Sequence, residues 1–335
     1  MIVDLTDLQT LMREPHWLDV THGAPDFLGI ELEGNLPNQF DLAATLQWLS
    51  FQPLPILGIG AFSEAWAEGV DCFFDDVAAA QPVIAGITAN PRAAATMVQV
   101  TRITSQLSLR DALVVESLAY STLLAGEEFK SWLQKRPTPK ARPLEHPVIL
   151  DRFDEDLVIS LNAPGSRNAL SIDMRDALRE AFQLVLLDAS IRNARVYGSG
   201  PAFCSGGDLD EFGLATDLSV AHHVRQLRMP GQTIGLAPER FYFWVHGACI
   251  GGGIETPAFA GHISADPDCV FRLPEIGFGL VPGAGGCVSI PRRIGRHQTN
   301  AWALGQTTIN AQTALEWGLI DELSARPDWA VATTP

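Results

Sequence analysis

Apolar residues change their spacing several times along the chain, and each change predicts a different element. Residues 27–32 alternate in part, 42–49 repeat at helical spacing, and 54–59 form an unbroken apolar run of the buried-strand kind. From residue 77 the spacing is helical. An amphipathic run covers 77–87, Asn90-Pro91 places a cap before a first-turn proline, and 93–101 continue the pattern. Ser108 with Asp111 predicts another helix start, followed by apolar residues three and four apart over 112–124 and a short helix over 127–135. Pro137-Thr138-Pro139-Lys140-Ala141-Arg142-Pro143 is a proline-rich break. Beyond it, strands at 148–150 and 157–161 flank an Asp-rich turn at 151–156, with a helix over 168–187 and a strand at 194–197. A strand at 241–246, a glycine run and a helix opening at 255–259 repeat the theme. Recurring strand–strand–helix units predict an α/β layered fold.

Composition narrows the function classes. The 335 residues are 47% hydrophobic, enough for a sizeable core, and carry a formal charge of −16. So acidic a surface repels phosphate backbones, which argues against nucleic acid and anionic membranes as general partners. The five cysteines are odd in number and lack CxxC pairing, so neither a disulfide framework nor a zinc site is expected. Met1 leads into Asp4, Thr6 and Asp7, and no apolar run approaches eighteen residues, which predicts a cytoplasmic protein. All three lysines, Lys130, Lys135 and Lys140, fall in the last helix and the break. A solvated linker explains that cluster as well as a ligand does.

Chemistry concentrates in two glycine-rich segments. The first runs Ala202-Phe203-Cys204-Ser205-Gly206-Gly207-Asp208-Leu209 and the second His246-Gly247-Ala248-Cys249-Ile250-Gly251-Gly252-Gly253-Ile254-Glu255. Paired glycines at strand-to-helix turns leave backbone N–H groups bare, and two that converge make an oxyanion hole. Gly58-Ile59-Gly60 has Ser63 in place of a third glycine and reads as a tight turn, not a dinucleotide fingerprint.

These strings resemble the crotonase (enoyl-CoA hydratase/isomerase) superfamily. The resemblance spans residues 147–323. It includes Arg167-Asn168-Ala169-Leu170, both glycine segments, Phe271-Arg272-Leu273-Pro274-Glu275-Ile276-Gly277, Gly283-Ala284-Gly285-Gly286, Arg293-Ile294-Gly295 and 314–321. It implies a crotonase-like spiral of strand–strand–helix units plus a helical oligomerisation segment, and a trimer or hexamer. It also implies an acyl-CoA thioester as substrate, with no metal or other cofactor. Carried over residue by residue, the oxyanion amides belong to Gly207 and Gly252, and the acid/base pair to Glu255 and Glu275. Substrate contacts are expected from Arg167, Ala169, Ser205, Asp208, Lys130 and Lys135. Two retained glutamates favour hydration or dehydration, because one must take a proton from water and the other deliver one to carbon. Isomerisation, thioester hydrolysis and carbon–carbon cleavage on the same scaffold remain alternatives, as does a non-catalytic acyl-CoA-binding subunit. A serine or cysteine hydrolase would use Ser205 or Cys204, but no motif places a histidine beside them.

The chain departs from the family's pattern at Pro257 and at Gly261-His262, where a long apolar helix usually ends in Cys-Asp; His262 is expected to be structural or exposed. The helices that usually follow the core are also not found after Asp321. Instead, residues 65–136 resemble them, with Glu68-Gly69-Val70-Asp71 echoing 317–321. The expected organisation is therefore a circular permutation: a small α/β segment of unknown role at 1–64, the helical segment at 65–136, a linker at 137–146 and the core at 147–325. Permutation is tolerated where the original termini lie close together at the surface.

Overall fold

The computed structural model describes residues 1–18, 24–32, 40–137 and 144–330. Most of the predicted linker, Lys140 and Arg142 included, lies outside them. The core is built on a six-stranded sheet in the order Glu322–Leu323, His262–Ala265, Phe241–Val245, Asn193–Gly198, Asp156–Leu161, Val148–Phe153. All its pairings are parallel except the last, an antiparallel hairpin whose turn is tighter than the expected 151–156. A second sheet pairs Ala248–Ile250 with Val270–Arg272 and that strand with Ile309–Asn310. The spiral arises because successive turns give one strand to each sheet: Phe241–Val245 then Ala248–Ile250, His262–Ala265 then Val270–Arg272.

The helix Ile172–Leu187 shows why the layers hold. Met174, Leu178, Ala181, Phe182 and Val185 recur three and four apart and are all buried. The Phe182 ring meets Phe241 edge-on with centroids 5.4 Å apart. This helix starts four residues later than its apolar spacing suggested, because Arg167 and Asn168 are both left-handed (φ 53°). Asn168 is fully buried there: its Oδ1 accepts from Ala163 N, and its Nδ2 donates to the carbonyls of Ser199, Ala202 and Phe203. That one side chain ties down the loop leading to Gly207.

Ahead of the core lies a four-stranded, all-parallel sheet in sequence order: Ile2–Val3, Leu28–Glu31, Ile56–Ile59, Cys72–Phe74. Its fourth strand falls inside the stretch expected to be helical, so the α/β segment runs to residue 74. The echo noticed in the sequence is also a structural one. Asp71 N donates to Ile56 O while Asp71 Oδ2 accepts from Ile56 N; Asp321 and Ile263 make the same pair of bonds in the core. Each aspartate is also met by an arginine, Arg102 and Arg293 respectively.

The helices Pro91–Thr104, Leu109–Leu124 and Glu127–Gln134 then fold onto the core. Two buried hydroxyls fasten the first of them: Thr101 Oγ1 donates to Asn300 Oδ1 at 2.9 Å, and Thr104 Oγ1 to Cys287 O at 2.9 Å. Asn90 does not cap it through its side chain. Glu128 instead accepts from Arg92 N and Ala93 N, joining the first and last of the three helices.

Candidate active site

A cavity of about 690 Å³ opens between the core and the helices ahead of it. The core contributes Leu170, Gly207, Asp208, Phe212, Gly252, Glu255 and Glu275; the helices contribute Tyr120, Leu124, Phe129, Lys130 and Leu133. Most of this lining is apolar, so the carboxylates within it are poorly hydrated.

Gly207 and Gly252 are brought to the same cavity by two turns that pack on each other. Leu170 N donates to Gly206 O and Asp208 N to Leu170 O, leaving the Gly207 N–H between them with no acceptor among the described residues. Gly251 N is taken by Arg272 O and the amides of Ile254 and Glu255 turn back to Gly251 O, which likewise leaves the Gly252 N–H free. Gly252 also opens a one-turn helix, Gly252–Glu255, so that amide sits at the positive end of its dipole. The expected longer helix stops there, and Pro257 begins a separate 3-10 turn, Pro257–Phe259.

Glu255 closes that single turn and is 2% exposed. Its Oε2 accepts from Ala284 N at 2.7 Å and Gly286 N at 2.9 Å. Burial pushes its pKa up to about 7, against the opposing pull of those two N–H groups. Glu275 sits at the start of the 3-10 turn Glu275–Phe278 and is also buried. Its Oε2 has no hydrogen-bond partner among the described residues, and burial followed by the charge of Glu255 raises its pKa well above the usual carboxylate range. Arg272 does not form a salt bridge with it; that guanidinium donates to Gln306 O. The two carboxylates flank Gly251, whose φ is +49°. A Cβ there would collide with Glu275 Oε1 and stand 3.6 Å from Glu255 Oε1.

The expected substrate contacts divide. Asp208 and Lys130 line the cavity, Lys130 with its ammonium 2.8 Å from Glu127 Oε1. Lys135 does not; it borders a separate cavity of about 410 Å³ beside Asn90, Glu128 and Trp132, because its helix has turned that face away. Arg167, Ala169 and Ser205 are part of the turn beneath the cavity and not of its lining. Ser205 N donates to Arg167 O, and Ala169 N to Ser166 O. His262 is half-exposed and stands 3.5 Å from Glu322 across neighbouring strands.

Two residues of the site were not among the expected ones. Tyr120 lines the cavity beneath the Arg225 guanidinium, which stands 4.8 Å from its ring centre, and burial pushes its hydroxyl pKa up. Glu116 is 2% exposed; its Oε1 accepts from Gly285 N at 2.8 Å and its Oε2 from Cys287 N at 2.9 Å. A signal existed in the sequence: Ala112, Leu113, Glu116 and Tyr120 share one face of a helix, so a carboxylate interrupts an otherwise inward stripe.

Known proteins resemble the core part of this chain. The profile of the Enoyl-CoA hydratase/isomerase family matches residues 156–331. YngF of Bacillus subtilis (strain 168), whose name places it in the same family, is 31% identical over 172 residues, covering 51% of this chain and 66% of that protein. The mevalonyl-coenzyme A hydratase SIDH of Beauveria bassiana (strain ARSEF 2860) is 30% identical over 187 residues, covering 50% and 62%. The chain thus spans a little under two thirds of the length of these curated relatives. An enoyl-CoA hydratase crystal structure from Mycobacterium smegmatis superposes with a TM-score of 0.51 at 28% identity, over 54% of this chain and 71% of that one. No helix among the described residues is long and apolar enough to cross a membrane. A spiral of parallel strands, a matching profile over more than half the chain and relatives of the same description lead to one conclusion: the chain belongs to the enoyl-CoA hydratase/isomerase family.

Proposed function

We propose that the protein adds water across the double bond of an α,β-unsaturated acyl-CoA thioester, or removes it in the reverse direction. The observation that carries this reading is the pair of buried carboxylates beside Gly251 in unlike surroundings. Glu255, held by two backbone N–H groups, is the partner better able to bear charge; Glu275, with an unpartnered buried oxygen, is the one kept protonated. The names of the relatives from Beauveria bassiana and Mycobacterium smegmatis, both hydratases, agree with it.

In this mechanism Glu255 takes a proton from water as the hydroxyl oxygen bonds to the β-carbon. The double-bond electrons move onto the thioester oxygen, where the N–H groups of Gly207 and Gly252 stabilise the enolate. Collapse of the enolate takes the Glu275 proton to the α-carbon, and proton exchange between the two carboxyls restores the starting state. Water is added and nothing is oxidised or reduced, so the chemistry asks for no metal or redox cofactor. The helices ahead of the core complete the cavity wall, and we extend the proposal to their standing in for those that follow the core in the family.

The test is loss of the conjugated-thioester absorbance of crotonyl-CoA, with Glu255→Gln and Glu275→Gln beside the wild type. Rapid loss in the wild type with kcat lowered by about 10²–10⁴ in each variant is expected. Retained acyl-CoA binding with no loss of absorbance, for crotonyl-CoA and for longer enoyl-CoA esters, would overturn it.

A further inference from the structure

Four consecutive backbone N–H groups, Ala284 to Cys287, lead into the helix Gly286–Ile294, and two carboxylates share them alternately. Ala284 and Gly286 donate to Glu255; Gly285 and Cys287 donate to Glu116. Glu255 belongs to the core, whereas Glu116 comes from the helix Leu109–Leu124, 169 residues before Gly285. We propose that Glu116 is a positioning residue for Glu255, fixing through this amide ladder the two donors that orient its carboxylate. The inference rests on reading Glu255 as the base of the hydration step.

The physical argument starts from the peptide planes. Turning the peptide that carries Gly285 N or Cys287 N also moves its neighbours, and Gly286 N lies between the two. While Glu116 holds both, Gly286 N has one place to be. Glycine at 286 adds to this, since a Cβ there would lie 2.6 Å from Glu255 Cγ. Glu116 is costly where it is: burial, and then the charge of Glu255, push its pKa well above the usual range. An apolar residue would pack in its place without that penalty, but would leave two buried N–H groups unpaired and the ladder loose. The charge of Arg225 acts the other way but only as the smallest of these influences, and that guanidinium is committed to Ser117 and Ser121.

Two variants and one wild-type measurement test this. Glu116→Asp keeps the carboxyl group and withdraws it by one methylene; Glu116→Gln keeps the length and turns an NH2 toward one of the two N–H groups. Both should lower kcat for crotonyl-CoA by about 10- to 100-fold with KM nearly unchanged, as a misplacement of about 1 Å does. Neither should lower it further in a Glu255→Gln background. Independently of turnover, 13C NMR of protein labelled at the Glu side-chain carboxyl should show the Glu255 midpoint moving up from about 7 in Glu116→Asp, as its donors loosen. In the wild type, the amide shifts of Gly285 and Cys287 should follow the same pH midpoint as those of Ala284 and Gly286. A lower melting temperature alone, with kcat and the Glu255 midpoint unchanged, would overturn the inference. So would Gly285 and Cys287 amides that ignore the midpoint, a result that needs no variant to fold. If wild-type protein hydrates neither crotonyl-CoA nor longer enoyl-CoA esters, the functional reading fails and the two NMR measurements still decide the role of Glu116.

Discussion

Asp71 Oδ1 stands 3.4 Å from Arg296 Nη1, an ion pair that crosses from the sheet ahead of the core to the helix Arg296–Gly305 within it. Asp71 is fully buried, and its other flank is taken by Arg102. Both guanidiniums also donate to backbone carbonyls, Gln52 and Leu54 for Arg102, Ala67 and Glu68 for Arg296. Removing the aspartate charge strands two partly buried cations. Asp71→Asn should lose about 3–5 kcal/mol of unfolding free energy, read by urea denaturation, while kcat of the folded fraction stays unchanged.

The rate should depend on pH with an acid limb near neutrality. In the proposed hydration Glu255 begins ionised, and burial places its pKa at about 7 in the ligand-free site, so kcat/KM falls as pH drops through that value. Glu275 must begin protonated, so a second fall belongs well above the usual carboxylate range. A pH–rate profile flat across neutrality would contradict the assignment of these roles.

Stability should run against the rate. Between 4.5, the ordinary value, and about 7, native Glu255 keeps a proton that the unfolded chain has released. The native state then binds more protons, and unfolding free energy falls as pH rises across that window, by roughly 3 kcal/mol if Glu255 acted alone. Glu116 and Glu275 are raised as well and carry the same sign to higher pH. Glu255→Gln should flatten the slope in denaturation experiments run at a series of pH values.

Gly251 offers a way to disturb the pair without touching either carboxylate. In Gly251→Ala the new methyl drives Glu275 Oε1 aside and holds a left-handed backbone that alanine disfavours. A loss of about 10²-fold in kcat is expected from such a displacement. Gly252→Ala meets only side chains, at 3.2 Å and 3.4 Å, keeps its N–H and should lose less. Equal effects from the two substitutions, in proteins of equal stability, would count against the crowding at Gly251.

Much of this arrangement was legible in the sequence, for identifiable reasons. Apolar runs at 157–161, 194–197 and 241–246 become central strands, where burial on both faces leaves only one reading. Glu255 and Glu275 were singled out by the family resemblance of the motifs that hold them, and in the fold both carboxylates flank Gly251. Arg167, Ala169 and Ser205 border the Gly206-Gly207 turn in sequence and lie beneath the cavity, with backbone bonds from Ser205 N to Arg167 O and from Ala169 N to Ser166 O, a placement that neighbourhood in sequence does not reveal. Lys135 borders a different cavity from Lys130, and charge alone does not tell which way each faces. Glu116 stood out only as a carboxylate in an inward stripe; its partners are main-chain N–H groups, so the pattern did not say what it holds.

The order of segments has a consequence for how the molecule is made. A ribosome working from the first residue produces the cavity wall before the cavity floor. Glu116 and Tyr120 leave it attached to helices whose inner face has nothing to cover. At about 5–20 residues per second, the 169 residues that separate Glu116 from Gly285 take on the order of ten seconds to arrive. For that interval Leu113, Leu123 and Phe129, buried in the finished protein, lack the core surface that later covers them. The amide ladder is thus a joint that closes late, at 284–287, and its closure fixes Glu116 of the wall and Glu255 of the floor together.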